Sequence, residues 1–392
     1  MQAGTRRTVF ILALCQALFM TGTSMVLTVT ALAGEALAPG TGLATLPISL
    51  QFVVTMLTTV PASFLMRRLG RRTGFQVGAT IGLVGGVINV FALGAGHFGA
   101  FCLGSALIGA LNGFAIYYRF AAADCSDEEA RSRAISLVLA GGVIAAFSGP
   151  NLARATVDAL GATFAGSFVA LAVLQVITIG LLLLVNIPRL SADERKDQGR
   201  PLGEIFRIPA VPVAILAGVA GYSSMTLVMT STPLAMQGTG HPFASTAFVI
   251  QWHVFAMFAP AFVTGHLIKR FGVLPVIATG CCLNLICMAV NLSGQGLWHY
   301  TAALMALGVG WNFMFIGGTS LLAGAITRPE QAKVQGLNDF LVFGSVALAA
   351  LSGGYMNQTA GWGTVNMALV PGFAVSLLAT LWLWLAPKTQ TT

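Results

Sequence analysis

Ser24-Met-Val-Leu-Thr-Val-Thr30 returns later in the chain as Ser224-Met-Thr-Leu-Val-Met-Thr230, with Ser, Met, Leu and Thr in the same places. After a two-residue slip, Leu32 and Ala33 match Leu234 and Ala235, and Leu65, Arg68 and Gly70 match Leu267, Arg270 and Gly272. Asn112 answers Asn312 in the same way. A repeat of half the chain's length is the mark of a duplicated helical bundle, with a binding site at the interface of the copies.

The composition says what those copies are made of. Of 392 residues 56% are hydrophobic and 8% are Asp, Glu, Lys or Arg, against about 25% charged in soluble domains. Apolar runs of roughly 20 residues, enough to cross ~30 Å of hydrocarbon as helix, recur from Val9 to Ala386. They predict twelve transmembrane helices near 9–33, 44–66, 74–95, 98–121, 134–153, 164–186, 210–235, 244–267, 273–293, 299–323, 335–357 and 363–386. The fold class is therefore an all-α membrane protein of two pseudo-symmetric six-helix bundles, residues 1–187 and 209–392. The polar stretch over 188–208 joins them as a cytoplasmic connector. The first apolar run follows Arg6 and Arg7 as in a signal peptide, but it is too long and leads straight into further spans, so it reads as the first helix.

Net charge is +8, yet nothing here points to nucleic acid. In the predicted topology all of the 20 Lys and Arg except Arg154 fall on one face. That is the positive-inside bias, and it puts both termini in the cytoplasm. Cys15, Cys102, Cys125, Cys281, Cys282 and Cys287 form no CxxC pair, so no disulfide framework is expected. No nucleophile, base and acid recur at catalytic spacing and no GxxxxGK[ST] loop is present, which argues against an enzyme and against direct use of ATP.

Between the second and third predicted helices, Ser63-Phe-Leu-Met-Arg-Arg-Leu-Gly-Arg-Arg72 resembles the GxxxDRxGRR loop of the major facilitator superfamily, with Arg68, Gly70, Arg71 and Arg72 in place. Ser63 replaces the first glycine and Arg67 replaces the acid. In that family the acid is thought to latch onto the start of the eleventh helix, where this chain has Asp339. The resemblance thus implies a reversed latch in which Arg67 donates and Asp339 accepts; Arg67 also fits a plain inside-positive anchor. Gly141, Gly142, Gly149 and Pro150 resemble the family's antiporter motif, but Ala153 and Arg154 stand where further glycines belong. The arginine that many proton-coupled drug exporters carry before Gly113 is missing.

Few ionisable residues enter the membrane: Glu35 at the outer end of the first helix, Asp339, and His253 within the eighth. Two spacings place soft side chains together. Met225 and Met229 in the seventh helix, and His253 and Met257 in the eighth, are i,i+4 pairs, each on one helix face. Thioethers select Cu(I) over harder cations, and imidazole broadens the site to copper generally. Met is also an ordinary filler of apolar gaps, and His253 also suits proton coupling. Met25, Cys282 and Cys287 are secondary ligand candidates, with plain packing as the alternative. Cys102, His97, His241 and His299 rank lower.

This MxxxM and HxxxM pattern resembles the CcoA-type bacterial copper importers of the superfamily. The resemblance implies a multi-pass carrier of the bacterial inner membrane, a monomer with no prosthetic cofactor. It would import copper, free or chelated, by alternating access to supply assembly of a cbb3-type cytochrome c oxidase. The same branch includes riboflavin transporters. The rival expectation is an organic-solute carrier for riboflavin or a drug, in which Trp252, Trp311, Tyr222, Asn112, Asn312 and Gln251 contact a ring system. A sensor or assembly factor on a transporter scaffold is a third.

Overall fold

The computed structural model describes residues 3–118, 121, 122, 125, 128–185, 187 and 200–386. The first half contributes α1 (Ala3–Leu37), α2 (Leu46–Leu69), α3 (Arg71–Ala95), α4 (Phe98–Ala115), α5 (Glu128–Thr156) and α6 (Ala165–Leu183). After a single turn at Leu202–Ile205, the second half contributes α7 (Ala210–Gly238) and then α8 in two pieces, Phe243–Phe258 and Ala261–Phe271. It ends with α9 (Val273–Ser293), α10 (Leu297–Ala325), α11 (Arg328–Met367) and α12 (Val370–Leu385).

Nine stretches among the described residues are long and apolar enough to span a bilayer on their own. The two pieces of α8, bent by 40°, make a tenth span. Val334–Leu385 is 52 residues long, more than one crossing needs, and Gly361 breaks it at φ 78°, a left-handed conformation that glycine adopts without Cβ strain. That gives two spans from one stretch. With α5, whose first turns carry charge, the described residues hold twelve such helices.

Each half has its own core. Leu12, Phe75, Phe101 and Phe168 are fully buried in the first, and Val228, Ile250, Leu304 and Phe373 in the second. In lipid the drive to bury apolar surface between helices is absent, so close approach through small residues and a few interhelical hydrogen bonds has to hold the bundles together.

The duplication is visible in backbone detail, and it corrects the register read from sequence. Gly70 (φ 90°, ψ 153°) and Gly272 (φ 92°, ψ 161°) make the same turn after α2 and after α8, 202 residues apart. The hydrogen bonds of α1 and α7 keep that offset. Thr28 Oγ1 donates to the Ser24 carbonyl and Thr230 Oγ1 to the Thr226 carbonyl, both at 2.7 Å. Thr30 to Val26 and Thr232 to Val228 repeat this one step on. The match of Ser24 and Met25 to Ser224 and Met225 is therefore two residues out. Ser24 corresponds to Thr226, Met25 to Leu227, and no slip is needed before Leu234.

The connector is tied to the second half. Arg200 grips the Glu330 carboxylate with Nε (2.6 Å), Nη2 (2.8 Å) and its own backbone N–H (3.0 Å). Glu330 also accepts from the Thr327 N–H and completes a capping box at the start of α11. The Arg200 guanidinium, and then the Thr327 amide, hold the Glu330 carboxyl well below the usual carboxylate range.

Candidate solute-binding cavity

Helical periodicity puts Met20, Thr23, Ser24 and Leu27 on one face of α1, and Tyr222, Met225, Thr226 and Met229 on one face of α7. The two sets are counterparts at the 202 offset. Both faces line one cavity at the middle of the molecule, enclosing about 740 Å³ of empty space including its open mouth. Gln51 and Phe52 of α2, Asn112 of α4 and Ala145 of α5 continue the wall in the first half. Thr230 with Val254, Met257 and Phe258 of α8 completes it in the second. Among the described residues the lining includes no Asp, Glu, Lys, Arg or His.

On the side away from the termini, contacts bridge the halves. Ser49 Oγ donates to the Ala347 carbonyl (2.8 Å), Thr45 Oγ1 to the Leu351 carbonyl (3.3 Å), and the Gly354 N–H to Thr45 Oγ1 (3.1 Å). Asn151 Nδ2 donates to Gln251 Oε1 (2.7 Å), and Phe164 meets Phe243 edge to face.

Within the cavity Gln51 Nε2, Asn112 Oδ1, Ser24 Oγ and Thr226 Oγ1 are buried atoms with no hydrogen-bond partner among the described residues. Buried polar groups normally find partners; these four stand out as the unpartnered ones on residues that line the cavity, while others, among them His253 Nε2 and Trp311 Nε1, lie outside the lining. The rest of the surface is thioether and aromatic: Met20, Met225, Met229, Met257, Phe52, Tyr222 and Phe258. Behind Tyr222, Trp311 stacks on Phe315 at 5.1 Å and 8°.

Of the proposed metal ligands, Met225, Met229 and Met257 line the cavity, joined by Met20, which the spacing argument missed. His253 does not. It is fully buried, its Nδ1 lies 2.7 Å from the Leu304 carbonyl of α10, and its chain turns away from the lining. An i,i+4 pair shares a face only to within about 40°, since four residues advance 400°, and here that difference separates wall from core. Met25 likewise lies outside the lining, fully buried in the first half's core. Cys287, buried beside Asn291, and Cys282, exposed, sit on α9, which contributes nothing to the lining.

At the loop between α2 and α3, Arg68 is exposed and Arg71 half-buried, with Gly70 making the turn. Asp339 accepts from Gln335 (2.9 Å) and Asn338 (3.1 Å). The Arg67 side chain lies outside the described residues, so the reversed latch remains an expectation. Of the ring-contact candidates, Tyr222 and Asn112 line the cavity; Gln251 bridges the halves, Trp252 packs on Phe147 and Phe255, and Asn312 is spent inside the bundle.

Sequence comparison bears on the same architecture. The family model described as Major Facilitator Superfamily matches residues 12–283. The chain belongs to the major facilitator superfamily. This major facilitator is 42% identical over 386 residues to the riboflavin transporter RfnT of Brucella anthropi, covering 98% of this chain and 97% of that one. It is 27% identical to YdeG of Bacillus subtilis, an uncharacterized MFS-type transporter, over 97% of this chain and 92% of the other. Among solved structures it resembles the xylose transporter XylE of E. coli in a partially occluded inward open conformation. The TM-score is 0.75 at 14% identity, with full coverage of both chains. It also resembles a D-xylose-proton symporter, at TM-score 0.76 and 12% identity over 96% and 97%. At those identities the likeness speaks for the fold alone. The chain is a secondary transporter of this superfamily and not an enzyme.

Proposed function

We propose that this transporter carries a neutral, planar heteroaromatic solute of the riboflavin class. The observation that carries the reading is the cavity between the halves: among the described residues it has no charged side chain, is walled by thioethers and aromatic rings, and holds four polar atoms without partners. A flavin is a flat, uncharged tricycle with a hydroxylated side chain. Sulfur and aromatic edges suit its faces and a few amides and hydroxyls suit its edges. The 42% identity to a riboflavin transporter supports the same cargo. The carrier works in a bacterial inner membrane as a monomer with cytoplasmic termini, taking the solute inward by rocking its two bundles.

The test is growth of a riboflavin auxotroph that lacks its own carrier, at limiting riboflavin, with initial uptake rates measured. Expression of this chain is expected to restore growth, and Tyr222→Ala to reduce uptake at least several-fold. Failure of the wild-type chain to restore uptake sinks the reading. One observation favours copper as a second cargo: Met20, Met225, Met229 and Met257 bring four thioethers to one cavity. Copper uptake that depends on Met229, in cells that gain no riboflavin uptake, would establish that reading instead.

A further inference from the structure

Recognition within the cavity is divided unequally between its walls. The first half presents Gln51 Nε2, Asn112 Oδ1 and Ser24 Oγ, all buried and unpartnered among the described residues, while the second presents only the Thr226 hydroxyl amid methionines and rings. The two amides are held by a rigid crossing. A Cβ on Gly109 would collide with the Gln51 carbonyl, so α4 touches the backbone of α2 at that level. Thr55 Oγ1 pins the contact, with the Gln51 carbonyl at 2.7 Å and the Gly109 carbonyl at 2.9 Å. Asn112 follows Gly109 by three residues and so faces the cavity close to the level of Gln51.

A crossing this tight leaves the two amides little freedom to find partners in the protein. Both line the same wall of the cavity, and a side-chain amide offers either a donor or an acceptor by turning over. A ring edge on which an N–H sits beside a carbonyl is the complement of that pair.

Resting on the flavin reading, we propose that Gln51 and Asn112 form an edge-reading subsite for a cyclic imide. Gln51 Nε2 donates to a ring carbonyl and Asn112 Oδ1 accepts the adjoining ring N–H. The methionine and aromatic wall of the second half takes the face of the ring. In riboflavin that edge is the N3–H between two carbonyls. The subsite therefore selects heterocycles carrying this imide over flat aromatics without it.

The experiment compares uptake of riboflavin and of N3-methylriboflavin by the wild type, Asn112→Leu and Gln51→Met. A site built to hydrogen-bond a group rejects analogues that cannot make the bond, so the wild type is expected to favour riboflavin by at least about ten-fold. In Asn112→Leu that ratio falls towards one. In Gln51→Met uptake of both compounds weakens, because both keep the carbonyl. The ratio is internal to each variant and does not depend on how much carrier reaches the membrane. Where a variant moves neither compound, quenching of flavin fluorescence by the purified protein gives the ratio at equilibrium. Riboflavin uptake by the wild type without discrimination, or discrimination that survives in Asn112→Leu, overturns the subsite and leaves the flavin reading standing. No riboflavin uptake by the wild type overturns both.

Discussion

The crossing of α2 with α4 and the crossing of α8 with α10 come from one ancestral design and have been put to different uses. In the first, Gly109 meets the Gln51 carbonyl; in the second, Gly308 meets the His253 carbonyl. Gln51 and His253 are 202 apart, but Gly109 and Gly308 are 199 apart, the same offset as the first residues of α4 and α10, Phe98 and Leu297. The counterpart of Asn112 is therefore Trp311, and Asn312 stands in the place of Gly113. On the first-half side Gln51 Nε2 and Asn112 Oδ1 have no partner among the described residues, and both residues line the cavity. On the second-half side, away from the lining, the imidazole Nδ1 meets the Leu304 carbonyl and the indole stacks on Phe315, their Nε2 and Nε1 having no partner among the described residues, and Asn312 fastens the break in α8. Asn312 Nδ2 donates to the Met257 carbonyl (2.7 Å) just before Pro260, and its Oδ1 accepts from Thr264 (2.6 Å) beyond it. Duplication supplies two copies of a crossing, and one can hold structure while the other is released for recognition.

The comparison breaks most readily at its glycines. Gly109→Leu and Gly308→Leu each force side chain into a facing backbone. Overpacking of this kind costs roughly 1–3 kcal/mol or more, so both variants are expected to lose most monodisperse protein on size exclusion in detergent, and uptake with it. Equal tolerance of leucine at either position would show that the close approach is not what holds the crossing. Next come the asparagines. Asn312→Leu strands the Met257 carbonyl and leaves the Thr264 hydroxyl only the Pro260 carbonyl of its own helix, a loss of about 1–3 kcal/mol, read as a lower melting temperature. Asn112→Leu is expected to leave melting unchanged and to impair uptake. A reversal of that pattern would exchange the roles given to the two halves.

His253→Gln places the first half's residue in the second half. It removes the bond to Leu304 and is expected to cost about 1 kcal/mol with little effect on riboflavin uptake, since the side chain does not reach the cavity. Abolished copper binding in this variant would restore His253 as a ligand. The smallest effect concerns the connector's hold on the second half. The carboxyl of Glu330 is lowered by Arg200, so its contribution is fully present above the ordinary carboxylate pKa of about 4.3 and is lost only as the pH falls below it. Melting between pH 6 and pH 8 should not register this group. Between pH 5 and pH 3 the wild type should lose more stability than Glu330→Gln.

Span number, two-fold repetition and the central location of the site were legible because they rest on long apolar runs and on a half-chain period that many residues share. The turn at Gly70 was legible for the same reason, through its match to Gly272. Which residues face the cavity was harder. A two-residue error in register, harmless to the fold, rotates a helix face by 200°; it made Met25 look like the partner of Met225 and hid Ser24, Thr226 and Met20. A periodic reading of α1 alone, with Met20, Thr23, Ser24 and Leu27 at helical spacing, carries the missing signal. The status of His253 was not legible, because whether an embedded histidine faces a cavity or a neighbouring carbonyl depends on the packing of α10, remote in sequence. Asn112 and Asn312 mislead for a similar reason: identity of residue type at nearly the same offset disguises a one-residue shift between their helices.

The uncharged lining of the cavity has an electrical consequence. Moving one elementary charge through 100 mV is worth about 2.3 kcal/mol, and with a neutral solute aboard the described lining adds no such charge. The membrane voltage then does no work on the loaded site in either direction.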